Sequence, residues 1–377
     1  MKVLLAGGGS AGHINPAIAI ANTIKEYDKD AELAFIATKK GMENRLVGKA
    51  GYPVHHIEMQ GLRRSLSLSN IKTAYYYFTS PMKAKKLIRE FAPDLVIGTG
   101  GYLCWPLLHM AAKMGVPTAV HESNAIPGKA VKMLEKEVDR IYTNFPSTEQ
   151  YLKHTEKVLR VGNPLICEPN THSAAELREK LGIPKNAKKV ILSFGGSLGA
   201  ARVNEEILKF MCDYTMEHPE VFHVHSTGKA NYEEVITAAK TYGITNAPNI
   251  KIFEYIYDMP LWEEIADAVI CRAGAMTISE MALLGKACIL IPSPNVANNH
   301  QYENAKRLSD ADAALLLTEK DLSADALITA ITELFSSPRK KAQLSANITT
   351  FANPAAKKEI LADLLALAQK GSHYESK

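Results

Sequence analysis

The feature that most constrains the fold of this chain is a strand, a glycine-rich turn and a helix, which occur near its start and again near its middle. Residues 2–6 form an apolar strand, 7–12 the turn, and the following residues keep helical spacing. Residues 189–194 and 195–200 repeat the pattern. Further strands are predicted at 33–37, 94–98, 117–120, 221–225, 250–253, 268–271, 287–291 and 313–317. Strands alternating with helices predict an α/β chain of two doubly wound parallel-sheet domains facing across a cleft.

The domain boundaries are predicted from local composition. A length of 377 residues suits two domains. The first is expected to span 1–162, because Gly162-Asn163-Pro164 is followed by a polar stretch. The second is expected to span 163–340. Residues 341–377 form a predicted helical tail, whose strongly apolar helix within 357–369 needs a partner surface.

The composition excludes several classes of protein. Hydrophobic residues make up 46% and charged residues 22%, as in soluble globular proteins. The five cysteines are scattered without a C-x-x-C pair, which supports neither a disulfide framework nor a zinc site and favours a reducing compartment. The acidic triplets at 28–30 and 310–312 are interpreted as solvated turns. We expect no signal peptide, membrane span, metal or nucleic-acid partner.

The charge is distributed unevenly along the chain. Residues 1–162 hold 22 Lys and Arg against 14 Asp and Glu, whereas the remainder has a net charge of −4. Tyrosines at 75–77 and Phe78 precede lysines at 83, 85 and 86. Aromatic rings beside cations are typical of a membrane interface with anionic lipid. The alternative is a core helix with a charged continuation.

The first glycine turn is predicted to approach an anionic ligand. Gly7, Gly9 and Gly12 have the spacing of a dinucleotide site, but Thr38-Lys39-Lys40 after the second strand offers no acid for an adenosine ribose. His13 follows the turn at the start of a helix, where the helix dipole favours the neutral imidazole. His13 is therefore a candidate general base.

Two more groups of residues follow strands of the first domain. They are Gly100-Gly101-Tyr102 and His121-Glu122-Ser123-Asn124. In a parallel sheet the carboxyl ends of the strands line the ligand crevice, which would bring both groups close to His13. For His121 and Glu122 the alternative is a hydrogen bond that braces the loop.

The stretch Cys271-Arg272-Ala273-Gly274-Ala275 joins a strand to a helix in the second domain. The free amides at the start of such a helix suit a diphosphate. Glu280, one to two turns into the helix, is placed to accept hydrogen bonds from a ribose diol. The alternative is an ordinary helix start with a surface glutamate.

Together these motifs resemble the MurG family, the peptidoglycan glycosyltransferases of the GT-B superfamily. The resemblance covers nearly the whole chain, and the box at 271–280 is its most specific part. It implies inverting transfer of N-acetylglucosamine from UDP-GlcNAc to the C4 hydroxyl of the undecaprenyl-linked muramoyl pentapeptide, lipid I. The implied setting is cell-wall synthesis, cell shape and cell division. It implies a peripheral enzyme at the cytoplasmic face of the cell membrane, with partners UDP-GlcNAc, lipid I and an anionic membrane surface. No bound cofactor is expected.

The resemblance also implies roles for individual residues. His13 and Glu122 would be catalytic, and the last helix would cross back to the first domain. The acceptor side would comprise Gly100, Gly101, Tyr102 and His121. The donor site would comprise Ser10, Ala11, Gly12, Asn124, Ser197, Ile256, Ala275, Met276, Thr277, Ile278, Ser279, Glu280 and Gln301. Of these, Ile256 would offer its backbone to uracil, Glu280 would bind the ribose and Gln301 the sugar hydroxyls.

The chain departs from the family pattern at three places. Ser10-Ala11-Gly12 stands where Thr-Gly-Gly or Thr-Ala-Gly is usual, Ile166 replaces an arginine, and Trp105 replaces a small residue. A phosphate contact is therefore missing or supplied by another cation such as Arg202. The alternatives are another GT-B enzyme that uses a UDP-sugar, either a glycolipid glycosyltransferase or a UDP-GlcNAc 2-epimerase, and a non-enzymatic sensor.

Overall fold

The structure, a computed structural model, describes residues 1–60, 69–166, 172–196 and 199–372. The chain forms two compact units. One comprises Met1–Ile166 together with Asn353–Lys377, and the other comprises Cys167–Ala352.

The first unit is built on a seven-stranded parallel sheet with the order β3-β2-β1-β4-β5-β6-β7. Its central strands are apolar and buried, as expected when helices cover both faces of a parallel sheet. The strands are β1 (Lys2–Ala6), β2 (Glu32–Ala37), β3 (Val54–His56), β4 (Leu95–Gly98), β5 (Thr118–Glu122), β6 (Arg140–Thr143) and β7 (Val158–Arg160). The helices are α1 (Ala11–Tyr27), α2 (Glu43–Lys49), α3 (Ser69–Phe91), α4 (Cys104–Lys113) and α5 (Lys129–Leu134).

The second unit is built on a six-stranded parallel sheet with the order β10-β9-β8-β11-β12-β13. The strands are β8 (Lys189–Phe194), β9 (Val221–Ser226), β10 (Ile250–Phe253), β11 (Ala268–Cys271), β12 (Cys288–Leu290) and β13 (Leu315–Leu316). The helices are α6 (Ala174–Lys180), α7 (Ala201–Phe210), α8 (Tyr232–Thr241), α9 (Met259–Ile265), α10 (Ala275–Leu283), α11 (His300–Asp310), α12 (Ala324–Ser336) and α13 (Pro338–Thr349). The two parallel α/β sheets confirm the predicted fold class.

The last helix, α14 (Ala356–Ser372), completes the core of the first unit. Ile360, Leu364 and Leu367 are buried in the same cluster as residues of β1 and α1. The Asp363 carboxylate accepts hydrogen bonds from Arg140 Nε at 2.7 Å and from the Tyr142 hydroxyl at 2.8 Å. The final helix is therefore part of the first domain's fold.

The unit boundaries differ from the predicted ones. The first lies after Ile166 rather than after residue 162, and the return to the first unit begins at Asn353 rather than at residue 341. Leu344 packs in the core of the second unit. Asn347 donates from Nδ2 to the carbonyls of Ala311 and Asp312. The predicted boundary after residue 340 falls inside helix α13, because a helical pattern alone does not show which core the helix covers.

Two predicted absences and the predicted position of the acidic triplets can be compared with the described residues. No helix in that part of the chain is long and apolar enough to cross a membrane. No cluster of three or more His, Cys, Asp and Glu side chains there is arranged as a metal site. Asp28 lies just before the turn at 29–30 and accepts from the Asp30 amide, whereas Asp310 ends helix α11, pairs with Lys306 of the same helix and precedes the turn at 311–312.

We expect Asp363→Asn to lower the free energy of unfolding of the first unit by about 1.5–3 kcal/mol, because it weakens two hydrogen bonds to a charged, partly buried group. Glu90→Gln is the matched control, since it breaks an exposed ion pair with Lys86 and should cost under about 1 kcal/mol. Hydrogen exchange of the amides in β1 and β6 reports the difference. Equal protection in the two variants would contradict a role of α14 in this unit's stability.

Candidate functional site

Two glycine turns of the first unit pack backbone against backbone at the carboxyl ends of β1 and β4. The Gly8 amide donates to the Gly100 carbonyl at 3.3 Å. Gly101 has φ +82°, and a Cβ atom there would overlap the Gly8 carbonyl oxygen. Only glycine fits such a position without strain. Gly9, Ser10 and Gly12 remain exposed to solvent.

His13 is held by the second of these turns. Its Nδ1 lies 3.1 Å from the Thr99 carbonyl oxygen, while the Thr99 hydroxyl donates to the His13 carbonyl at 2.6 Å. A carbonyl only accepts, so Nδ1 carries the proton and Nε2 of the neutral ring is a base. Burial lowers the pKa of His13, and the bond to Thr99 offsets part of that shift. The ring is therefore neutral at physiological pH.

The glycine turn is also held by Glu43, at the first position of α2. The Gly9 amide donates to Glu43 Oε1 at 2.7 Å. The carboxylate is fully buried, and its Oε2 has no hydrogen-bond partner among the described residues. The Tyr102 ring lies beside Gly9, and burial, with the charge of Glu43 second, raises the pKa of its phenol. Glu43 was not predicted from the sequence, because 34 residues separate it from Gly9.

His121 is fully buried at the end of β5. Its Nε2 bonds to the Gly162 carbonyl at 2.9 Å, and its Nδ1 lies 3.4 Å from the Ser123 hydroxyl. Burial lowers the pKa of the ring to about 4. These contacts match the alternative of a loop brace and leave no ring nitrogen for an acceptor substrate.

The Glu122 carboxylate is likewise occupied by its own loop. Oε1 accepts from the Asn124 amide and from Asn124 Nδ2, at 2.9 and 3.0 Å, and Oε2 accepts from the Gly128 amide at 2.7 Å. The structure thus favours the alternative in which Glu122 braces its own loop. In that role it orients the Asn124 side chain. A direct proton transfer by Glu122 would require these bonds to break.

In the second unit, helix α10 begins directly after the β11 turn. Gly274 precedes the helix in an extended conformation, and Ala275, Met276 and Thr277 form its first turn. The amides of a first turn point out of the amino end of a helix, where a diphosphate binds. Ile278 and Ser279, which are buried, lie further along the same helix.

Glu280 faces a second carboxyl group. Burial raises the pKa of Glu280 to about 7. Glu263, on α9, is almost fully buried, and burial together with the nearby Glu280 raises its pKa to about 9. Glu263 is therefore protonated at neutral pH and leaves Glu280 as the carboxylate of the pair.

Ile256 lies on the loop beyond β10, and Gln301 lies in the first turn of α11, which follows the loop beyond β12. The Ile256 side chain is buried, while Tyr255 and Tyr257 on either side are exposed and pack edge to face with ring centroids 5.0 Å apart. Gln301, at the start of α11, accepts at Oε1 from the Ser293 amide at 2.8 Å. Ser197 lies outside the described residues.

The structure shows the contacts of two residues raised by the departures from the family pattern. Arg202 pairs with Glu206 at 2.8 Å and Glu205 at 3.3 Å, so its guanidinium is already engaged by neighbouring carboxylates. Trp105 stacks on Tyr77 with centroids 4.1 Å apart. The tryptophan therefore fastens α4 to α3.

Comparison with known proteins shows that both halves of the chain match the same family. Residues 3–143 match the glycosyltransferase family 28 N-terminal domain, and residues 190–360 match its C-terminal domain. A "UDP-N-acetylglucosamine--N-acetylmuramyl-(pentapeptide) pyrophosphoryl-undecaprenol N-acetylglucosamine transferase" from Acetivibrio thermocellus is 42% identical over 92% of this chain and 93% of its own length. A protein of the same name from Thermoanaerobacter sp. is 41% identical over 92% and 94%.

Solved structures agree in fold. MurG from Acinetobacter baumannii superimposes with a TM-score of 0.75 at 25% identity, covering 97% of this chain and 99% of that one. A UDP-GlcNAc 2-epimerase from Neisseria meningitidis bound to UDP-GlcNAc has a TM-score of 0.67 at 14% identity, covering 97% and 100%. The second likeness concerns the fold alone.

Proposed function

Because this chain belongs to the family of the UDP-N-acetylglucosamine–N-acetylmuramyl-(pentapeptide) pyrophosphoryl-undecaprenol N-acetylglucosamine transferases, we propose that it transfers N-acetylglucosamine with inversion to the C4 hydroxyl of lipid I. The chain is a UDP-GlcNAc-dependent glycosyltransferase of peptidoglycan synthesis. The observation that carries this conclusion is 42% identity over 92% of the chain.

His13 is the proposed general base. Inversion requires the acceptor hydroxyl to lose its proton as it attacks the anomeric carbon. The bond from Nδ1 to Thr99 fixes the neutral tautomer, so Nε2 can take that proton. The imidazolium formed keeps its hydrogen bond to the Thr99 carbonyl. Glu122, through its bonds to Asn124, serves as a positioning residue.

The leaving UDP is stabilised by the amino end of α10. Negative charge builds up on the diphosphate as the glycosidic bond breaks, and the amides of 275–277 and the helix dipole favour that charge. Glu280 binds the ribose, the Ile256 backbone binds uracil, and Gln301 binds the sugar. In this scheme the chain needs no resident metal or cofactor, and UDP-GlcNAc is a substrate.

The acceptor carries a lipid chain that stays in the bilayer, so the enzyme must contact the membrane. We assign this contact to helix α3. Tyr75, Phe78 and Met82 are 63%, 74% and 73% exposed and, at positions i, i+3 and i+7, share one face of the helix. Lys83 and Lys86 are exposed nearby. An apolar helical face beside cations binds peripherally to an anionic bilayer. The bilayer surface would be the cytoplasmic face of the cell membrane.

Charge reversal on this surface, Lys83→Glu with Lys86→Glu, is expected to weaken binding to anionic vesicles at least tenfold, since each lysine contributes about 1 kcal/mol. The reversed protein should keep its turnover of a soluble short-chain acceptor. Phe78→Ser should weaken the binding that persists at high salt. Lys29→Glu with Lys49→Glu is the control of equal net charge. If both reversed proteins sediment alike with vesicles, α3 is not the docking surface.

The function itself is tested by product analysis with UDP-GlcNAc and a short-chain lipid I analogue. A β-1,4-linked disaccharide on the lipid diphosphate, together with UDP, is the expected outcome. Formation of the C2 epimer of UDP-GlcNAc without an acceptor would instead identify an epimerase. If neither product forms in the presence of both substrates, the proposal is contradicted.

A further inference from the structure

One arginine of the second unit connects the carboxyl ends of three neighbouring strands. Arg272 directly follows β11. Its Nη1 donates to the carbonyl oxygens of Ile291 and Pro292, beyond β12, at 3.2 and 3.3 Å. Its Nη2 donates to Glu319 Oε1, beyond β13, at 3.1 Å. The guanidinium therefore fixes the path of the loop after β12 relative to the other two strands.

The next residue of that loop orients the side chain of Gln301. The Ser293 amide donates to Gln301 Oε1 at 2.8 Å. Because an N–H group can only meet an acceptor, the amide oxygen must occupy this position and Nε2 must point away from Ser293. Gln301 consequently presents a hydrogen-bond donor to its surroundings, and the direction of that donor depends on the position of residues 291–293.

The ion pair between Arg272 and Glu319 is mostly shielded from water, so each charge needs the other to compensate it. The side chains of Arg272 and Glu319 are only 11% and 19% exposed. Glu319 Oε2 is buried and has no hydrogen-bond partner among the described residues. Removing one charge of a buried pair leaves the other uncompensated, so the guanidinium would seek new partners and release the loop carbonyls.

We propose that Arg272 and Glu319 are a positioning pair, which holds the loop at 291–293 so that Gln301 Nε2 donates to a hydroxyl of the transferred sugar. The inference rests on the proposed function, from which the sugar contact of Gln301 is taken. Neither charged residue touches the donor. They act through the Ile291 and Pro292 carbonyls and the Ser293 amide, which position Gln301. The pair should therefore affect binding of the sugar part of the donor and not binding of the uridine.

Calorimetry on the full chain separates these two parts of the donor. Glu319→Gln, which keeps the size of the side chain and removes its charge, is expected to raise the Kd of UDP-GlcNAc about tenfold and to change the Kd of UDP less than about twofold. Lys341→Met is the matched control. It breaks a pair with Asp267 in which the side chains are 26% and 23% exposed, but the pair lies at the amino end of β11, the end opposite Arg272, so neither Kd should change. Glu319→Asp provides a second variant if the first does not fold.

A double variant tests whether Glu319 acts through Gln301. If it does, Gln301→Ala with Glu319→Gln binds UDP-GlcNAc no more weakly than Gln301→Ala alone. Additive losses, parallel losses for UDP and UDP-GlcNAc, or no loss in Glu319→Gln would each overturn the proposal. Transfer by the wild-type protein is measured separately. A wild type that binds UDP-GlcNAc without transferring the sugar would contradict the proposed function and leave the positioning result standing.

Discussion

Replacing His13 with alanine is expected to lower kcat by roughly 100-fold or more, the usual contribution of a general base, while the KM for UDP-GlcNAc changes little. The expectation follows from the fixed tautomer, in which Thr99 takes the Nδ1 proton and Nε2 is left as the base. His154→Ala, which removes a surface histidine paired with Glu156, is the control. A kcat within a few-fold of wild type would show that His13 is not the general base.

The pH dependence of the reaction gives an independent check on His13. Burial lowers its pKa below the ordinary value of about 6.5. The basic form is the active one, so activity is present above that lowered pKa and is lost as the pH falls through it. The acidic limb of kcat, measured with saturating UDP-GlcNAc so that donor binding by Glu280 does not limit the rate, should therefore lie below pH 6.5. A limb well above pH 7 would assign the base to another group.

Glu280→Ala is expected to raise the KM for UDP-GlcNAc by roughly 10- to 150-fold, since a hydrogen bond to a charged group contributes about 1.5–3 kcal/mol. Truncation removes the carboxylate that would accept both ribose hydroxyls. Glu303→Ala on the neighbouring helix α11 is a suitable control. An unchanged KM would contradict the ribose assignment.

The same assignment predicts that UDP binds more tightly as the pH rises. Burial raises the pKa of Glu280 to about 7, so its ionised form is lost as the pH falls through 7. Glu263 stays protonated in this range because its pKa is about 9. Between pH 6 and pH 8 the ionised fraction rises about tenfold, and the Kd of UDP should fall by a similar factor. Glu280→Gln should show no such slope.

The fold was predictable because its signals are local. Strands β1, β8, β10 and β11 have the predicted ends, since each is an apolar run that stops at a turn. Strands β3, β6 and β7 were not predicted, because they are only three or four residues long and carry polar side chains. The placement of α13 required knowledge of which core its apolar face covers.

The candidate site was predictable only where a motif carries its own geometry. His13 was selected because a glycine turn and a helix start flank it, and its catalytic role stays a prediction. Glu43 and Glu319 gave no such signal, since Glu43 meets Gly9 and Glu319 meets Arg272 across 34 and 47 residues. Contacts of this kind are set by the packing of whole elements.

The return of the chain to its first domain has a consequence for the order in which the protein can fold as it is made. Asp363 meets Arg140 across 223 residues, so the first domain to leave the ribosome is the last that can be completed. The second domain, continuous from 167 to 352, is wholly synthesised before α14 emerges. Until then the apolar side chains of α1 that pack against α14 stay uncovered, so we expect the nascent first domain to expose part of its core to solvent.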